Sequence, residues 1–264
     1  DQTVCEGDNF QLSASFLQGA SYSWSPTTGL SNPFVRSPNS SLNSTTTYTV
    51  TCSLNGCTSN DQVIINVNPV PTVDAGANQT ICNGSFANLS ANYLQFMSYS
   101  WRPVTFLSSP NSNFTTASPT SSMTYYLDGI LNGCMNTDSV RIIVSPLPSV
   151  SAGTNQTICL GDTITLSASG ATNYTWTNGV INNVAFVPTS PNPNFIYSVS
   201  YTVTGTYSNG CTNTDLVLVT INPLPDIYAY SFINGVNTNN PEVDLCLGDS
   251  LKLIGNGANT YQWD

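Results

Sequence analysis

The chain of 264 residues carries 4 basic and 14 acidic side chains and no histidine, which gives a net charge of −10 at pH 7. Nucleic acids and anionic membranes are bound through clustered Lys and Arg, so neither is expected as a partner. The sequence has no run of 18 apolar residues, so direct membrane insertion is not predicted either. Because histidine is absent, Ser-His-Asp and Cys-His catalysis are excluded, and we predict no enzyme activity, no catalytic residue and no cofactor.

The cysteines reveal an internal repeat. The opening cysteines Cys5, Cys82 and Cys159 lie 77 residues apart, and each is followed 52 residues later by a second cysteine, Cys57, Cys134 or Cys211. A fourth opening cysteine, Cys246, follows after 87 residues. A Tyr-x-Trp follows each opening cysteine, an Asn-Gly precedes each second one, and a Pro-x-Pro begins twelve residues after it. Three copies of these independent landmarks predict a tandem array.

The Pro-x-Pro motifs predict the boundaries of the repeats, because proline ends a strand and stiffens the link to the next unit. The predicted repeats are residues 1–70, which lack a first strand, 71–147, 148–224 and the truncated 225–264. We expect these units to form an extended string.

Each repeat is predicted to be β-structure. An opening strand such as 72–77 is followed by segments that alternate apolar and polar residues, such as 87–91 and 47–51, which is typical of half-buried strands. An apolar strand such as 61–67 follows the Asn-Gly. Because Asn-Gly tolerates positive φ angles, the last two strands should form a hairpin with that turn at its tip. No segment has a useful helical period, so the fold class is all-β, a tandem array of small β-sandwiches.

The paired cysteines are predicted to form disulfides, since a zinc site would need His or a close Cys-x-x-Cys and the sequence has neither. Repeats of this size build small cores that benefit from a covalent cross-link. We expect one disulfide in each repeat, Cys5–Cys57, Cys82–Cys134 and Cys159–Cys211, each tying the start of a strand to the hairpin tip. Such bonds indicate an oxidising, extracellular location.

Two cysteines have no partner in this scheme. Cys246 opens the fourth repeat, and its partner is expected beyond residue 264. Cys52 has no counterpart, because Gly129 and Thr206 take its place in the other repeats. It is interpreted as a buried free thiol, with a bond to another chain or to Cys57 as the alternative.

Aromatic residues are predicted to fill the cores. Each Tyr-x-Trp could stack on a sugar, but residues two apart on a strand share one face, and one large aromatic at a fixed position per repeat is what a core requires. The tryptophans concerned are Trp24, Trp101, Trp176 and Trp263. Phe34, Phe106, Phe114 and Phe186 lie in the variable middle of the repeats and are interpreted as core residues, with an exposed binding loop as the alternative.

A recurring aspartate follows four residues after each second cysteine, at Asp61, Asp138 and Asp215. With Asp74 these residues could bind interdomain calcium. However, calcium needs six to eight oxygen ligands, and the sequence has no Asp-x-Asp. Hydrogen bonding at a turn or a strand edge is the favoured interpretation.

The motifs Thr-x-Cys-x-Gly-Asp, Leu-x-Ala, Tyr-x-Trp-x-Pro, Thr-Tyr-x-Val, Asn-Gly-Cys-x-x-x-Asp and Pro-x-Pro follow one another in this order. Their succession resembles the PKD-like and Ig-like repeats of Bacteroidota surface proteins, including the giant gliding-motility adhesins exported by the type 9 secretion system. The resemblance covers essentially the whole chain. The third repeat departs from it with Trp176-Thr-Asn in place of Trp-x-Pro.

The resemblance implies a structural or adhesive segment of a long secreted filament on the cell surface. Its partners would be a surface polysaccharide or another surface ligand and, through regions outside this chain, the outer-membrane export and motility machinery. The alternative is an array of accessory carbohydrate-binding or spacer modules of a secreted hydrolase. The resemblance also implies O-glycosylation of Asp-Ser/Thr-aliphatic sequences, at Ser139, Thr163 and Ser250, although a Gly-Asp turn before a strand explains the same pattern.

Overall fold

The computed structural model describes residues 1–226, 228–233, 236–237 and 251–256. The chain divides into two compact units, Asp1–Pro146 and Leu147–Asp264. The first unit holds two β-sandwiches, and the second holds one sandwich and a further small sheet. Each sandwich combines a four-stranded sheet with a two-stranded sheet, which confirms the predicted all-β, Ig-like fold class. The described residues include no helix long and apolar enough to cross a membrane.

Sandwiches 1 and 2 have the same strand order. Sandwich 1 comprises β1 (Gln2–Cys5), β2 (Asn9–Gln11), β3 (Ser21–Ser25), β4 (Asn39–Ser41), β5 (Thr46–Leu54) and β6 (Cys57–Asn68). Its sheets have the orders β1-β6-β5-β3 and β2-β4. Sandwich 2 comprises β7 (Gln79–Cys82), β8 (Ala87–Ser90), β9 (Ser98–Arg102), β10 (Phe114–Ala117), β11 (Met123–Leu131) and β12 (Cys134–Ser145). Its sheets have the orders β7-β12-β11-β9 and β10-β8.

Sandwich 3 repeats the arrangement. It comprises β13 (Gln156–Cys159), β14 (Ile164–Thr165), β15 (Asn173–Trp176), β16 (Ala185–Phe186), β17 (Tyr197–Thr206) and β18 (Thr212–Asn222), with a 3₁₀ turn at Thr177–Gly179. Its sheets have the orders β13-β18-β17-β15 and β14-β16. The last described strands, β19 (Tyr228–Ile233), β20 (Val236–Asn237) and β21 (Leu251–Asn256), form a sheet of order β20-β19-β21.

The central hairpin of each larger sheet forms where the Asn-Gly motif predicts it. Asn55 and Gly56 join β5 to β6 with φ angles of 53° and 82°, and Asn132 and Gly133 join β11 to β12 in the same left-handed conformation. Glycine and asparagine tolerate this conformation, which a tight two-residue turn between twisted strands requires. Sandwich 3 differs, because a longer loop, residues 207–211, joins β17 to β18.

The opening strand of each sandwich pairs in parallel with the far end of the long hairpin strand. Cys5 lies opposite Asn68, the last residue of β6, whereas Cys57 is the first residue of β6. At about 3.3 Å per residue, the length of β6 puts about 36 Å between these two positions. The same parallel register recurs in sandwiches 2 and 3. The opening cysteine and the hairpin tip of one sandwich therefore lie at opposite ends of its sheet.

The Tyr-x-Trp motifs supply the cores, as predicted. Trp24, Trp101 and Trp176 are 3%, 0% and 5% exposed, while Trp263 lies outside the described residues. The indole N–H of Trp101 donates to the carbonyl of Ser112 at 2.9 Å, so the buried ring leaves no unpaired donor. The Trp24 indole donates in the same way to the carbonyl of Val35.

Candidate functional site

A disulfide joins the first two sandwiches. Cys5 at the end of β1 bonds to Cys134 at the start of β12, with 5.5 Å between their Cα atoms and a sequence separation of 129. The predicted pairs Cys5–Cys57, Cys82–Cys134 and Cys159–Cys211 are therefore wrong. Cys57 and Cys159 are exposed free thiols, and Cys82 and Cys211 are both disulfide-bonded.

The strand register explains why the predicted pairing fails. A disulfide requires Cα atoms within about 7 Å of each other. Cys5 and Cys57 lie at opposite ends of β6, because β1 runs parallel to the last residues of that strand. The prediction placed the opening cysteine beside the hairpin tip of its own repeat, whereas the tip that meets Cys5 belongs to the following sandwich.

Hydrogen bonds around this disulfide hold the hairpin tip of sandwich 2 against the end of sandwich 1. The side-chain amide of Asn68 donates to the carbonyl of Asn132 at 2.8 Å, and the Cys134 Sγ lies 3.7 Å from the Asn68 carbonyl oxygen. The side-chain amide of Asn136 donates to the carbonyl of Pro71 at 3.0 Å, which ties the link between the sandwiches to the same hairpin. Cys134 is accordingly only 1% exposed.

Cys52 is a free thiol on β5, as predicted, but it is half-buried rather than fully buried. Gly129 is its counterpart in sandwich 2, as the sequence indicates. The hairpin pairing makes Gly205, rather than Thr206, its counterpart in sandwich 3. The correction follows from the longer hairpin loop of sandwich 3, which shifts β17 by one residue.

The recurring aspartates fasten the segments that open sandwiches 2 and 3. The Ala75 N–H donates to the Asp138 carboxylate at 2.8 Å, and the Ala152 N–H donates to the Asp215 carboxylate at 2.8 Å. The N–H groups of Ala152 and Leu216 hold the pKa of Asp215 below its ordinary value. This bears out the hydrogen-bonding interpretation for Asp138 and Asp215.

The predicted opening strand at residues 72–77 is therefore a segment without regular secondary structure that is held by side chains, rather than a strand paired in a ladder. The Asn92 side chain secures it on both sides, by accepting the Asp74 N–H and donating to the Thr72 carbonyl, each at 3.0 Å. The sequence reasoning did not single out Asn92 and Asn136, whose side chains make these hydrogen bonds to the opening segment and to the link before it. Asparagine is so frequent in this chain that no pattern distinguishes them.

In sandwich 1, Asp61 is exposed, and its carboxylate accepts the N–H of the adjacent Gln62 at 2.9 Å. Within the ranges that the structure describes, no group of three or more His, Cys, Asp and Glu side chains is close enough to hold a metal ion.

Three of the four phenylalanines predicted to fill cores are on the surface instead. Phe34, Phe106 and Phe114 are 72%, 44% and 51% exposed, so the core prediction is wrong for them. Only Phe186 packs into a core, where its ring meets Tyr201 edge-on at 5.4 Å between centroids. Further exposed aromatic residues that the sequence reasoning missed are Phe16, Phe86, Tyr93, Phe96 and Phe195.

The candidate glycosylation residues differ in their surroundings. Ser139 is exposed on β12, and Thr163 is exposed directly before β14. Beside Thr163, the Asp162 carboxylate accepts the Cys159 N–H at 2.9 Å, so the Gly-Asp sequence forms a turn of its own. Ser250 lies outside the described residues.

One ion pair also escaped the sequence reasoning. Arg102 on β9 donates to both carboxylate oxygens of Asp128 on β11, at 2.7 and 3.1 Å. The guanidinium, with help from the Thr137 hydroxyl, holds the pKa of Asp128 below its ordinary value. Only a paired-strand register brings these two residues together, and one sequence does not provide that register.

No protein-family model matches the chain, and no curated protein matches it. Solved structures of tandem immunoglobulin domains do match it. Extracellular domains 3–5 of Drosophila OTK share 11% sequence identity over 83% of this chain and 94% of that one, with a TM-score of 0.32. An E-to-A variant of titin domains I67–I69 shares 9% identity over 83% and 95%, with a TM-score of 0.40.

The N-terminal eight Ig domains of DSCAM isoform 1.30.30 share 12% identity over 98% of this chain and 44% of that one, with a TM-score of 0.29. At such low identity the likeness concerns the fold alone. The protein is a tandem array of Ig-like β-sandwiches, and a disulfide joins the first two of them.

Proposed function

We propose that this chain is a structural and adhesive segment of a long secreted filament or adhesin on the cell surface. The observation that carries the proposal is the Cys5–Cys134 disulfide between consecutive sandwiches. A disulfide inside one repeat would protect only that repeat against unfolding under tension. A bond from one repeat to the next carries tension past the link between them and keeps neighbouring modules together under load.

The cross-repeat disulfide gives the free thiols a role in the same scheme. Cys57 occupies in sandwich 1 the place that Cys134 has in sandwich 2, and Cys159 occupies the place of Cys5. In an array with further repeats on both sides, each of these exposed thiols would meet the complementary cysteine of a neighbour. Two thiols would then close one disulfide by exchange with an oxidised thiol–disulfide carrier, which leaves as its dithiol.

The mechanical part of the proposal is tested by stretching single molecules between residues 1 and 264. With its disulfides intact, the chain should stop short of full extension. A thiol reductant should lengthen it by tens of nanometres, since each released residue adds up to about 3.6 Å. Cys159→Ser is the matched control and should leave the extension unchanged, because Cys159 is a free thiol. Equal extensions before and after reduction would contradict the proposal.

The finer assignments belong to the same proposal. The protein would originate among the gliding-motility adhesins of Bacteroidota that the type 9 secretion system exports. Its repeats would end at residues 70, 147 and 224. The exposed Ser139 and Thr163 would carry O-glycans. The proposed partner is a surface polysaccharide or another surface ligand. The intact mass of the natively produced protein tests the glycans, because each would add the mass of a sugar to the chain.

The exposed aromatic residues favour a second candidate, an array of carbohydrate-binding modules of a secreted hydrolase. Phe34 and Phe106 project from loops of sandwiches 1 and 2, where a sugar ring could stack on them. Pull-down on insoluble polysaccharides separates the two functions. A binding module should lose retention in Phe34→Ala and Phe106→Ala, whereas a spacer array should show no retention to lose.

A further inference from the structure

Sandwich 3 carries a groove with a volume of about 580 Å³ beside its core. Its walls are the segment that follows β15, the start of β17 and the loop between β16 and β17. The side chains that line it include those of Asn178, Phe186, Pro188, Thr189, Tyr197 and Tyr201. None of the described residues in this lining is charged, so the groove combines aromatic and apolar surface with neutral hydrogen-bonding groups.

The lengths of two loops explain why the groove forms in this sandwich. Residues 177–184 connect β15 to β16, whereas longer segments, 26–38 and 103–113, make the corresponding connections in sandwiches 1 and 2. The next connection shows the opposite trend, because residues 187–196 join β16 to β17 and form a longer loop than either counterpart. The groove lies between the short loop and the long one. The change begins where Trp-x-Pro is replaced after Trp176.

The shorter loop removes a hydrogen-bond partner from a core tyrosine. Tyr48, Tyr125 and Tyr201 hold equivalent positions on the hairpin strands and are 0%, 0% and 4% exposed. The Tyr48 hydroxyl donates to the carbonyl of Thr28, and the Tyr125 hydroxyl donates to the carbonyl of Thr105 at 3.1 Å. Both carbonyls belong to the longer loops. In the part of the chain that the structure describes, no residue forms the corresponding hydrogen bond with Tyr201.

The Tyr201 hydroxyl opens into the groove. Among the described residues, no fully buried side-chain oxygen or nitrogen lacks a hydrogen-bond partner, so this hydroxyl reaches open space, and Tyr201 lines the groove. Burial and, to a smaller extent, the neighbouring Tyr197 raise the pKa of Tyr201, so its hydroxyl stays protonated as a donor. A donor on a side chain so largely buried is costly to leave unpaired, which favours a ligand with an acceptor at this point.

The rest of the lining indicates what kind of ligand fits. Asn178, Thr189 and Tyr197 also line the groove, and none of them has a hydrogen-bond partner among the described residues. Their hydroxyl and amide groups both donate and accept, as the hydroxyl groups of a sugar do. The half-buried Tyr197 offers an aromatic surface to the C–H face of a sugar ring. A charged ligand would lose hydration without meeting a countercharge.

We propose that this groove binds an uncharged saccharide, one or two sugar rings at a time. Its volume lies within the range of about 300–1,000 Å³ that is usual for small-molecule sites. The Tyr201 hydroxyl donates to a sugar oxygen, which takes the place of the loop carbonyl in the other sandwiches. Asn178 and Thr189 bind further hydroxyl groups. The inference rests on the adhesive part of the proposed function, for which it supplies a binding site and a ligand class.

The test follows the backbone amide resonances of the full chain by NMR while saccharides are added. The probes are maltotriose, cellotriose, xylotriose and triacetylchitotriose, and the acidic trigalacturonate is the charged comparison. At least one neutral trisaccharide should shift the resonances of Val199 and Tyr201 in a saturable way. The resonances of Tyr48 and Tyr125 should not move, and trigalacturonate should have no effect.

Matched variants identify the hydrogen-bonding groups. Tyr201→Phe should weaken binding about tenfold, because it removes the donor but keeps the ring. It should not lower the melting temperature, because the hydroxyl has no partner among the described residues. Tyr125→Phe removes a hydrogen bond to Thr105 and should destabilise sandwich 2, yet leave saccharide binding unchanged. Asn178→Gly should also weaken binding, since glycine tolerates the φ of 58° at this position.

The proposal is overturned if none of the four neutral trisaccharides produces a saturable shift, or if wild type and Tyr201→Phe bind with equal affinity. Shifts produced by the neutral peptide acetyl-Pro-Ala-Pro-amide, and by no saccharide, would assign the groove to peptides and overturn it as well. None of these results alters the extension of the chain before or after reduction, so failure here is distinguishable from failure of the proposed function.

Discussion

Sandwiches 1 and 2 have the same strand order and the same motifs, yet they bury their cores to different extents. Twelve hydrophobic residues are buried in the core of sandwich 2 and five in that of sandwich 1. Leu127 and Met97 are buried in sandwich 2, whereas the smaller Val50 and Ala20 stand at their positions in sandwich 1. The opening segment of sandwich 2 adds Ala75 to the core of that sandwich. The paired strands thus form the sheets of each sandwich, and the opening segment that packs against them completes the core of sandwich 2.

The largest expected effect concerns the central tryptophans. Trp101→Ala should cost sandwich 2 about 3–5 kcal/mol, because the side chain is fully buried and its removal leaves a cavity. Trp24→Ala should cost sandwich 1 less, because only five hydrophobic residues are buried in the core that surrounds Trp24. Hydrogen exchange of the Tyr125 and Tyr48 amides reports on the two sandwiches separately. Equal losses of stability in the two variants would contradict the difference between the two cores.

A second pair of variants tests the crowding beneath the opening segment. Gly129→Cys should destabilise sandwich 2 by about 1–3 kcal/mol, because the new Cβ would lie 2.6 Å from Met97 Cε and 2.7 Å from Val73 Cγ2.

The reverse change, Cys52→Gly, should cost sandwich 1 about 0.5–1 kcal/mol, through backbone entropy. Chemical denaturation of each variant measures both. Stabilisation by Gly129→Cys, the usual result of removing a glycine from a strand, would contradict the packing described here.

The smallest expected effect is on the stability of the folded protein at acidic pH. Asp215 has a lowered pKa in the folded state because the Ala152 and Leu216 N–H groups donate to it. Its contribution to stability is therefore fully present above the unfolded pKa of about 3.9 and is lost as the pH falls through the folded value. Asp215→Asn should flatten the acid limb of the stability curve of sandwich 3. An acid limb that is unchanged in Asp215→Asn would contradict this role of the hydrogen bonds from Ala152 and Leu216.

Much of the fold follows from the sequence, because local patterns determine it. Asn-Gly places the hairpin tips at Asn55 and Asn132, and the Tyr-x-Trp alternation places Trp24 and Trp101 in the cores. The exposure of Phe34 could not be predicted in this way, since it lies in a loop where no periodicity relates one side chain to a face.

The disulfide partners could not be predicted from the spacing, for a different reason. A sequence that repeats every 77 residues offers each opening cysteine an equivalent partner in its own repeat and in the next one. The choice depends on whether β1 meets β6 at the hairpin tip or at its far end. Only the parallel pairing of Cys5 with Asn68 decides it, and that pairing is a tertiary contact.

The central claim is that a covalent bond runs from one sandwich to the next, and proteolysis of the oxidised protein without reduction, followed by mass spectrometry, tests it most directly. The account predicts a linked pair of peptides containing Cys5 and Cys134, with Cys57 and Cys159 recovered as alkylated thiols. Blocking free thiols before digestion prevents exchange during the measurement. Recovery of Cys5 linked to Cys57 would contradict the account and restore a separate disulfide to each repeat.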